Sequence, residues 1–270
     1  MLFYFFEVGG AVSMDCLSLS VVIITFNEEA NLARTLASVA WADEIVVVDS
    51  GSTDRTREVA ESFHGRFHVE QWKGFAAQKN FALAKATGDW ILSLDADEEV
   101  EPALADEIRT VLAANPSVDG FLISRKNFFL GRWIRHGGYY PDRKLRLFRR
   151  GAGQFEDRPV HEDLRIEGTT ASLKHHLLHH AYPTIEGYLE HMNRYSSLGA
   201  KMAAEKHPRG FSFVDIVIRP GLTFFYNYFV RLGFLDGREG LLLHLYHAQY
   251  VSWKYAKAWE RSRKRREAGQ

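Results

Sequence analysis

The amino-acid sequence predicts an α/β fold, a mainly parallel sheet with helices on both faces, followed by a C-terminal helical extension. Two observations predict the sheet. Four short apolar runs, at Leu19–Thr25, Glu44–Val48, Phe67–Trp72 and Trp90–Leu94, read as buried strands, and each is followed by a helical pattern. A third predicts the extension, because beyond Thr184 the chain changes to helical character. The expected organisation is an extension over residues 1–14, a catalytic-type α/β unit over 15–183 and a helical region over 184–270.

Taken in order, Met1 to Ser13 is apolar and aromatic, but Glu7 interrupts it and no basic segment precedes it, so it does not read as a secretory signal. Met14 stands just before the first strand and reads as an alternative start of translation. After the first strand, Asn27-Glu28-Glu29 opens a helix with Leu32, Leu36 and Val39 at helical spacing. The second strand ends in Asp49-Ser50-Gly51-Ser52-Thr53-Asp54, where Ser52 or Thr53 is placed to cap the next helix. The third leads through Gly74 to a helix carrying Gln78, Lys79 and Asn80. The fourth empties into Asp95-Ala96-Asp97, and Pro102 then starts another helix, with Glu99 and Glu101 read as acids that complement its N-terminus.

Right-handed crossovers would align the carboxyl ends of these strands, bringing Asn27, Asp49 and Asp95 together at the edge where open α/β sheets place ligands. Asp95 and Asp97, with Glu98 as a third carboxylate, can hold a hard divalent ion that keeps positions open for the oxygens of a diphosphate. No Gly-x-Gly-x-x-Gly and no Walker-type loop is present, which argues against an ordinary dinucleotide fold or a P-loop phosphotransferase.

The chain has 270 residues, 46% hydrophobic, enough for one large core and an appendage. Its formal net charge is zero, yet Arg261-Ser262-Arg263-Lys264-Arg265-Arg266 concentrates positive charge near the end and points to an anionic surface. No nucleic-acid partner is expected. A single cysteine, Cys16, excludes an intrachain disulfide and suits a reducing compartment.

Three motifs in order, Val22-Ile23-Ile24-Thr25-Phe26-Asn27-Glu28, Val47-Val48-Asp49-Ser50-Gly51-Ser52-Thr53-Asp54 and Gly88-Asp89-Trp90-Ile91-Leu92-Ser93-Leu94-Asp95-Ala96-Asp97, resemble those of family 2 glycosyltransferases with the GT-A fold. The resemblance covers about residues 18 to 200. It is similar above all to the bacterial lipopolysaccharide core glucosyltransferase branch, through Gly137-Gly138-Tyr139-Tyr140-Pro141-Asp142, Leu145-Arg146-Leu147-Phe148 and Val160-His161-Glu162. It implies a donor site formed by Thr25, Asn27, Glu28, Asp49, Lys79, Asp95 and Ala96, with Asp97 on a Mg²⁺ or Mn²⁺ ion. Lys79 has an ordinary alternative as a solvated helix lysine.

Inverting transfer needs a base, and the resemblance places it at Glu162, with Asp163 in reserve. His161 is either a metal ligand or a neighbour that orients Glu162, and His179 is a late histidine able to reach the metal. Tyr139, Tyr140, Arg143 and Arg146 are the expected acceptor wall, since aromatic faces stack on sugars and arginines pair with phosphates.

Pro220 to Val230 is strongly apolar but too short to span a bilayer. With Leu241–Tyr250 and the basic tail it reads either as an interfacial element on anionic lipid or as helices packed on the α/β unit or in a dimer. The implied function is transfer of a hexose, glucose from UDP-glucose, to a lipid-linked saccharide of the lipopolysaccharide core. It would take place at the inner face of the cytoplasmic membrane by a cytoplasmic, peripheral protein. A polyprenyl-phosphate glycosyltransferase and a non-catalytic sugar-binding or membrane scaffold are the alternatives.

Overall fold

The structure is a computed structural model and describes residues 17–156, 163–206 and 211–268. The N-terminal extension, His161 and Glu162 lie outside the described residues.

Strands β1 (Leu19–Thr25), β2 (Glu44–Asp49), β3 (Arg66–Val69) and β4 (Trp90–Asp95) pair in parallel in the order β3-β2-β1-β4. The third stops at Val69, short of the expected Trp72, whose ring leaves the sheet to meet Phe75 edge-on at 4.8 Å. Alternate side chains of β1 face opposite ways, as the strand period requires. Val21 and Ile23 pack with Leu32 and Leu36 of α1 (Leu32–Ser38) and Ala60 of α2 (Thr56–Ser62). Val22 packs instead with Ala82 of α3 (Phe75–Lys85) on the other face. Both faces are therefore covered.

The expected hydroxyl cap on α2 is not formed. Asp54 Oδ1 accepts from the Thr56 N–H at 3.0 Å, while Ser52 turns back toward Asn27 and Asp49.

Past β4 the sheet is mixed rather than mainly parallel. Beyond the two-residue turn Ala96-Asp97 come β5 (Glu98–Val100), α4 (Pro102–Ala113) and β6 (Gly120–Phe129), to which β7 (Arg132–Trp133) folds back. β8 (Asp142–Arg149) runs antiparallel to both β4 and β6. A separate ribbon joins β9 (Gly153–Glu156) to β10 (Asp163–Ile166), and β11 (Thr170–Tyr182) lies parallel to β6 and antiparallel to β5. The order is β3-β2-β1-β4-β8-β6-β11-β5. Two residues thus join strands that have three others between them, so the sheet curls, and Asp97 sits where the curl closes.

Pro102 opens α4 as expected, but Glu99 and Glu101 do not serve its N-terminus. Both turn instead to side chains of β6 and β11: Lys126 Nζ donates to Glu101 Oε1 at 3.0 Å, and His180 Nε2 lies 3.0 Å from Glu99 Oε2.

The helices α5 (Ile185–Lys206) and α7 (Gly237–Ala268) pack on each other, and a core of Phe129, Ile134, Tyr188 and Leu243 fastens them to the sheet. Between them α6 (Arg219–Phe225) is flanked by π-helical turns at Val214–Ile218 and Tyr226–Val230. Among the described residues no helix is long and apolar enough to cross a membrane.

Candidate active site

Thr25 and Asp49 end adjacent strands in register, and Asp95 ends the strand on the other side of β1. The expected convergence is present. Asp49 is almost fully enclosed and accepts from Thr25 Oγ1 at 3.0 Å, from Ser52 Oγ at 2.5 Å and from the Gly51 and Ser52 N–H groups at 2.7 Å. Asn27, at φ 55°, receives the Thr53 N–H on its Oδ1 at 2.9 Å and gives its own N–H to Ser52 Oγ at 2.7 Å. The two motifs are thereby stitched into one rigid rim. Beside it, burial and the negative charges of Asp97, Asp54 and Asp95 push the Glu28 carboxyl above its ordinary value, against the hydrogen bond from Asn31. Ala96 turns its methyl into the core and its carbonyl accepts from Thr35 Oγ1 at 2.7 Å.

Asp95 is the centre of a buried ionic cluster. Lys79 Nζ lies 2.9 Å from Asp95 Oδ1, and Arg146 Nη2 donates to Asp95 Oδ2 at 2.5 Å and to Glu98 Oε1 at 2.6 Å. Arg125 adds bonds to Glu98 at 2.9 Å and to Asp142 at 2.6 Å. Burial raises the Asp95 pKa, but Arg146 and Lys79, with Arg125 behind them, outweigh it and hold the carboxyl well below its ordinary range. Asp95, Glu98 and Asp142 face Lys79, Arg125 and Arg146, so three acids meet three bases.

This balance corrects three readings of the sequence. Glu98 is 0% exposed and takes Arg125, Arg146 and the Asp95 N–H (3.0 Å), so it is an internal counter-ion and not a third ligand for a cation. Arg146, 5% exposed, stands beneath Asp95 instead of on an acceptor wall. Lys79 is buried, not a solvated helix lysine, with Phe155 of β9 under its ammonium at 5.2 Å.

Asp97 is outside that balance. Its Oδ2 lies 3.4 Å from His179 Nε2, and the other ring nitrogen of His179 meets Asn127 Oδ1 at 2.7 Å. Burial pushes the Asp97 carboxyl up, and the contact and charge of His179 bring it below its ordinary value. Carboxylate oxygen and imidazole nitrogen, both partly open to solvent, suit a divalent ion whose other positions are filled by water or diphosphate oxygens. Among the described residues no group of three His, Cys, Asp or Glu could hold a metal ion, so Asp97 and His179 would hold one as a pair. Asp163 opens β10, opposite Glu156 of β9.

On the far side, a cavity of about 270 Å³ is lined by Arg125, Asn127, Tyr139, Asp142, Tyr182 and Leu243, among others. Tyr139 lines it directly. Tyr140 gives its hydroxyl to a hydrogen bond with His176 Nε2 at 2.9 Å, and Arg143 is exposed on β8. The loop between β7 and β8 is held by the segment between α6 and α7. The Gly137 N–H donates to the Arg231 carbonyl at 2.8 Å, and Asp236 accepts from the His136 N–H at 2.8 Å. Gly137 and Gly138 have φ of +66° and +90°, and a Cβ on either would overlap His244 or Arg231 respectively.

Residues 20–164 match the family model for Glycosyl transferase family 2. The chain belongs to that family. Over 91% of its length it is 34% identical to the lipopolysaccharide core biosynthesis glycosyltransferase LpsC of Rhizobium meliloti, of which it covers 93%. It is 30% identical to the uncharacterized glycosyltransferase RT0209 of Rickettsia typhi, over 83% of this chain and 80% of that one. A crystal structure of Staphylococcus aureus TarS 1–349 aligns with 94% of this chain and 92% of that one, with 19% identity and a TM-score of 0.45. The protein is a family 2 glycosyltransferase with a GT-A type sheet and a C-terminal helical extension.

Within this family 2 enzyme, sequence reasoning missed Arg125 and Asn127. Both lie on β6, where Asn127 is in register with His179 and Arg125 with Asp142. A run of polar residues inside a buried strand, Ser124 to Asn127, was the available signal, because such groups are buried only when paired.

Proposed function

We propose that this glycosyltransferase moves a hexose with inversion from a UDP-sugar, glucose from UDP-glucose, onto a lipid-linked saccharide of the lipopolysaccharide core. The observation that carries the donor half is the carboxylate of Asp97 at the closing turn, facing His179 and outside the cluster whose own charges cancel. Asp97 and His179 would hold Mg²⁺ or Mn²⁺, which when bound offsets the charge developing on the leaving diphosphate. Lys79, fixed between Asp95 and Phe155, holds the Asp95 carboxylate in place at the end of β4. Thr25, Asn27, Glu28 and Asp49 form the rim for the nucleoside.

Glu162 takes the proton of the acceptor hydroxyl, with Asp163 in reserve. The β9–β10 ribbon, in which Asp163 begins β10, is anchored to α3, since Asn80 exchanges hydrogen bonds of 2.8 and 2.9 Å with the backbone of Phe155. The cavity lined by Tyr139 and Asp142 receives the acceptor saccharide, with Tyr140 and Arg143 as further acceptor contacts. The likeness to LpsC, over nearly the whole of both chains, supports a core saccharide as acceptor.

The exposed apolar side chains of the 211–235 segment and the arginines of α7 support a peripheral seat on the inner face of the cytoplasmic membrane. The deciding experiment is calorimetric titration with UDP-glucose, UDP-galactose and GDP-mannose, each with and without Mn²⁺. Metal-dependent binding of UDP-glucose alone is expected, and binding of GDP-mannose in preference would overturn the donor assignment.

A further inference from the structure

Asn127 on β6 and His179 on β11 are register partners in parallel strands, so their side chains stand next to each other at the closing turn. The Asn127 amide has its orientation dictated by what surrounds it. Its Nδ2 lies 3.2 Å from the Tyr139 carbonyl oxygen and 3.3 Å from Asp142 Oδ2. A backbone carbonyl only accepts, and Asp142 is held as a carboxylate by Arg125 at 2.6 Å, so it also only accepts. Turning the amide over would set its oxygen against two oxygens. Asn127 Oδ1 therefore faces His179 Nδ1 at 2.7 Å, and because an amide oxygen has no proton to give, Nδ1 must carry one.

The other ring nitrogen then carries a proton only when the ring is charged. In the neutral imidazole with Nδ1–H, Nε2 bears a lone pair, and that lone pair faces Asp97 Oδ2 across 3.4 Å. Two acceptors so placed repel each other unless a cation lies between them.

We propose that Asn127 is a positioning residue that holds neutral His179 as the Nδ1–H tautomer and turns its Nε2 lone pair toward Asp97, so that the pair forms a cation slot. This rests on the metal reading given above and adds to it the residue that makes a histidine serve. Through the same amide, Asn127 ties the slot to the Tyr139–Asp142 loop on the cavity side, so ion and acceptor wall share one fixed point.

The tautomer can be read without metal and without activity. Long-range ¹H–¹⁵N spectra of the full-length chain labelled in histidine, taken above about pH 8 where imidazole is neutral, identify the protonated nitrogen. The His179 signals are assigned by their loss in His179→Gln. Nδ1–H is expected, the tautomer that a histidine side chain free in water disfavours. An Nε2–H signal would overturn the proposal.

Manganese affinity is then measured by electron paramagnetic resonance in the presence of UDP. Asn127→Leu, similar in size but without polar atoms, should bind Mn²⁺ about 10- to 100-fold more weakly than wild type. Equal Mn²⁺ affinity in wild type and Asn127→Leu would remove the role of Asn127 while leaving the metal site standing. A wild-type chain with the Nδ1–H tautomer that binds no Mn²⁺ would instead overturn the metal reading, and the slot with it.

Discussion

Asp95 and Asp97 are separated by one residue and held by opposite means. Asp95 answers buried cations, so Asp95→Asn leaves Lys79 and Arg146 without their shared anion, which should cost about 3 kcal/mol of stability at neutral pH. The folded carboxyl titrates below its unfolded value of about 3.9. Its contribution is therefore complete above that value and is lost as the pH falls toward the folded pKa. In urea unfolding, the gap between wild type and Asp95→Asn should narrow on acidification; a gap as wide at pH 3 as at neutrality would refute the assignment. Asp97→Asn should do the reverse, leaving the unfolding midpoint nearly unchanged and removing Mn²⁺-dependent UDP binding. Glu162→Gln should keep donor binding and lower kcat by about 10²- to 10⁴-fold; normal turnover would displace Glu162 as the base.

At the scale of elements, α7 carries a histidine in an unusual setting. His244 is 1% exposed, and neither ring nitrogen has a hydrogen-bond partner among the described residues. Burial first, then the nearby charge of His247, lowers its pKa to about 4, with Asp236 opposing. A histidine kept neutral in this way contributes stability that is whole above the unfolded value of about 6.5 and is lost as the pH falls through 4. The difference amounts to about 3 kcal/mol. His244→Leu should flatten the stability curve between those limits, and an unchanged slope would show that the ring is not enclosed in solution. The neighbouring glycines separate two effects. Gly131 has φ +79° with open space around it, so Gly131→Ala should cost about 1 kcal/mol of backbone strain. Gly137→Ala adds an overlap with His244 and should cost at least about 3 kcal/mol by thermal unfolding.

What the sequence disclosed follows from how each element is buried. β1, β2 and β4 are covered on both faces and read as mainly apolar runs, so their place and the acids at the ends of β2 and β4 were legible. β6, β8 and β11 carry Arg125, Arg146 and His179 inward, and these charged residues hide the strand period until the register pairs them with acids. For the same reason Glu98 read as a metal ligand and Arg146 as an acceptor contact: nothing in a one-dimensional chain says that the two residues neutralise each other.

For the whole molecule, the apolar surface is concentrated on one flank. Phe211, Phe213, Val214, Val217, Leu222, Phe225, Phe229, Val230, Phe234 and Leu235 are all exposed on the segment between α5 and α7. Replacing Phe225 and Phe229, 56% and 48% exposed, by glutamate should leave folding intact and reduce recovery with anionic vesicles several-fold in flotation. Recovery equal to wild type would assign that flank to a protein partner. Anionic vesicles should also outcompete zwitterionic ones, given the arginines exposed on α7.

The interlock between the Gly137-Gly138 loop and the C-terminal helices has a practical side. Anyone wanting a better-behaved version of this enzyme would be tempted to delete everything after β11 and discard the greasy segment. Such a cut would remove His244, Arg231 and Asp236, on which that loop is moulded, and would uncover Phe129, Ile134 and Tyr139. The shortened product would trade one sticky surface for another and lose the shape of the cavity lined by Tyr139 and Leu243. Resurfacing the outer residues one at a time, with the helices retained, is the route this architecture permits.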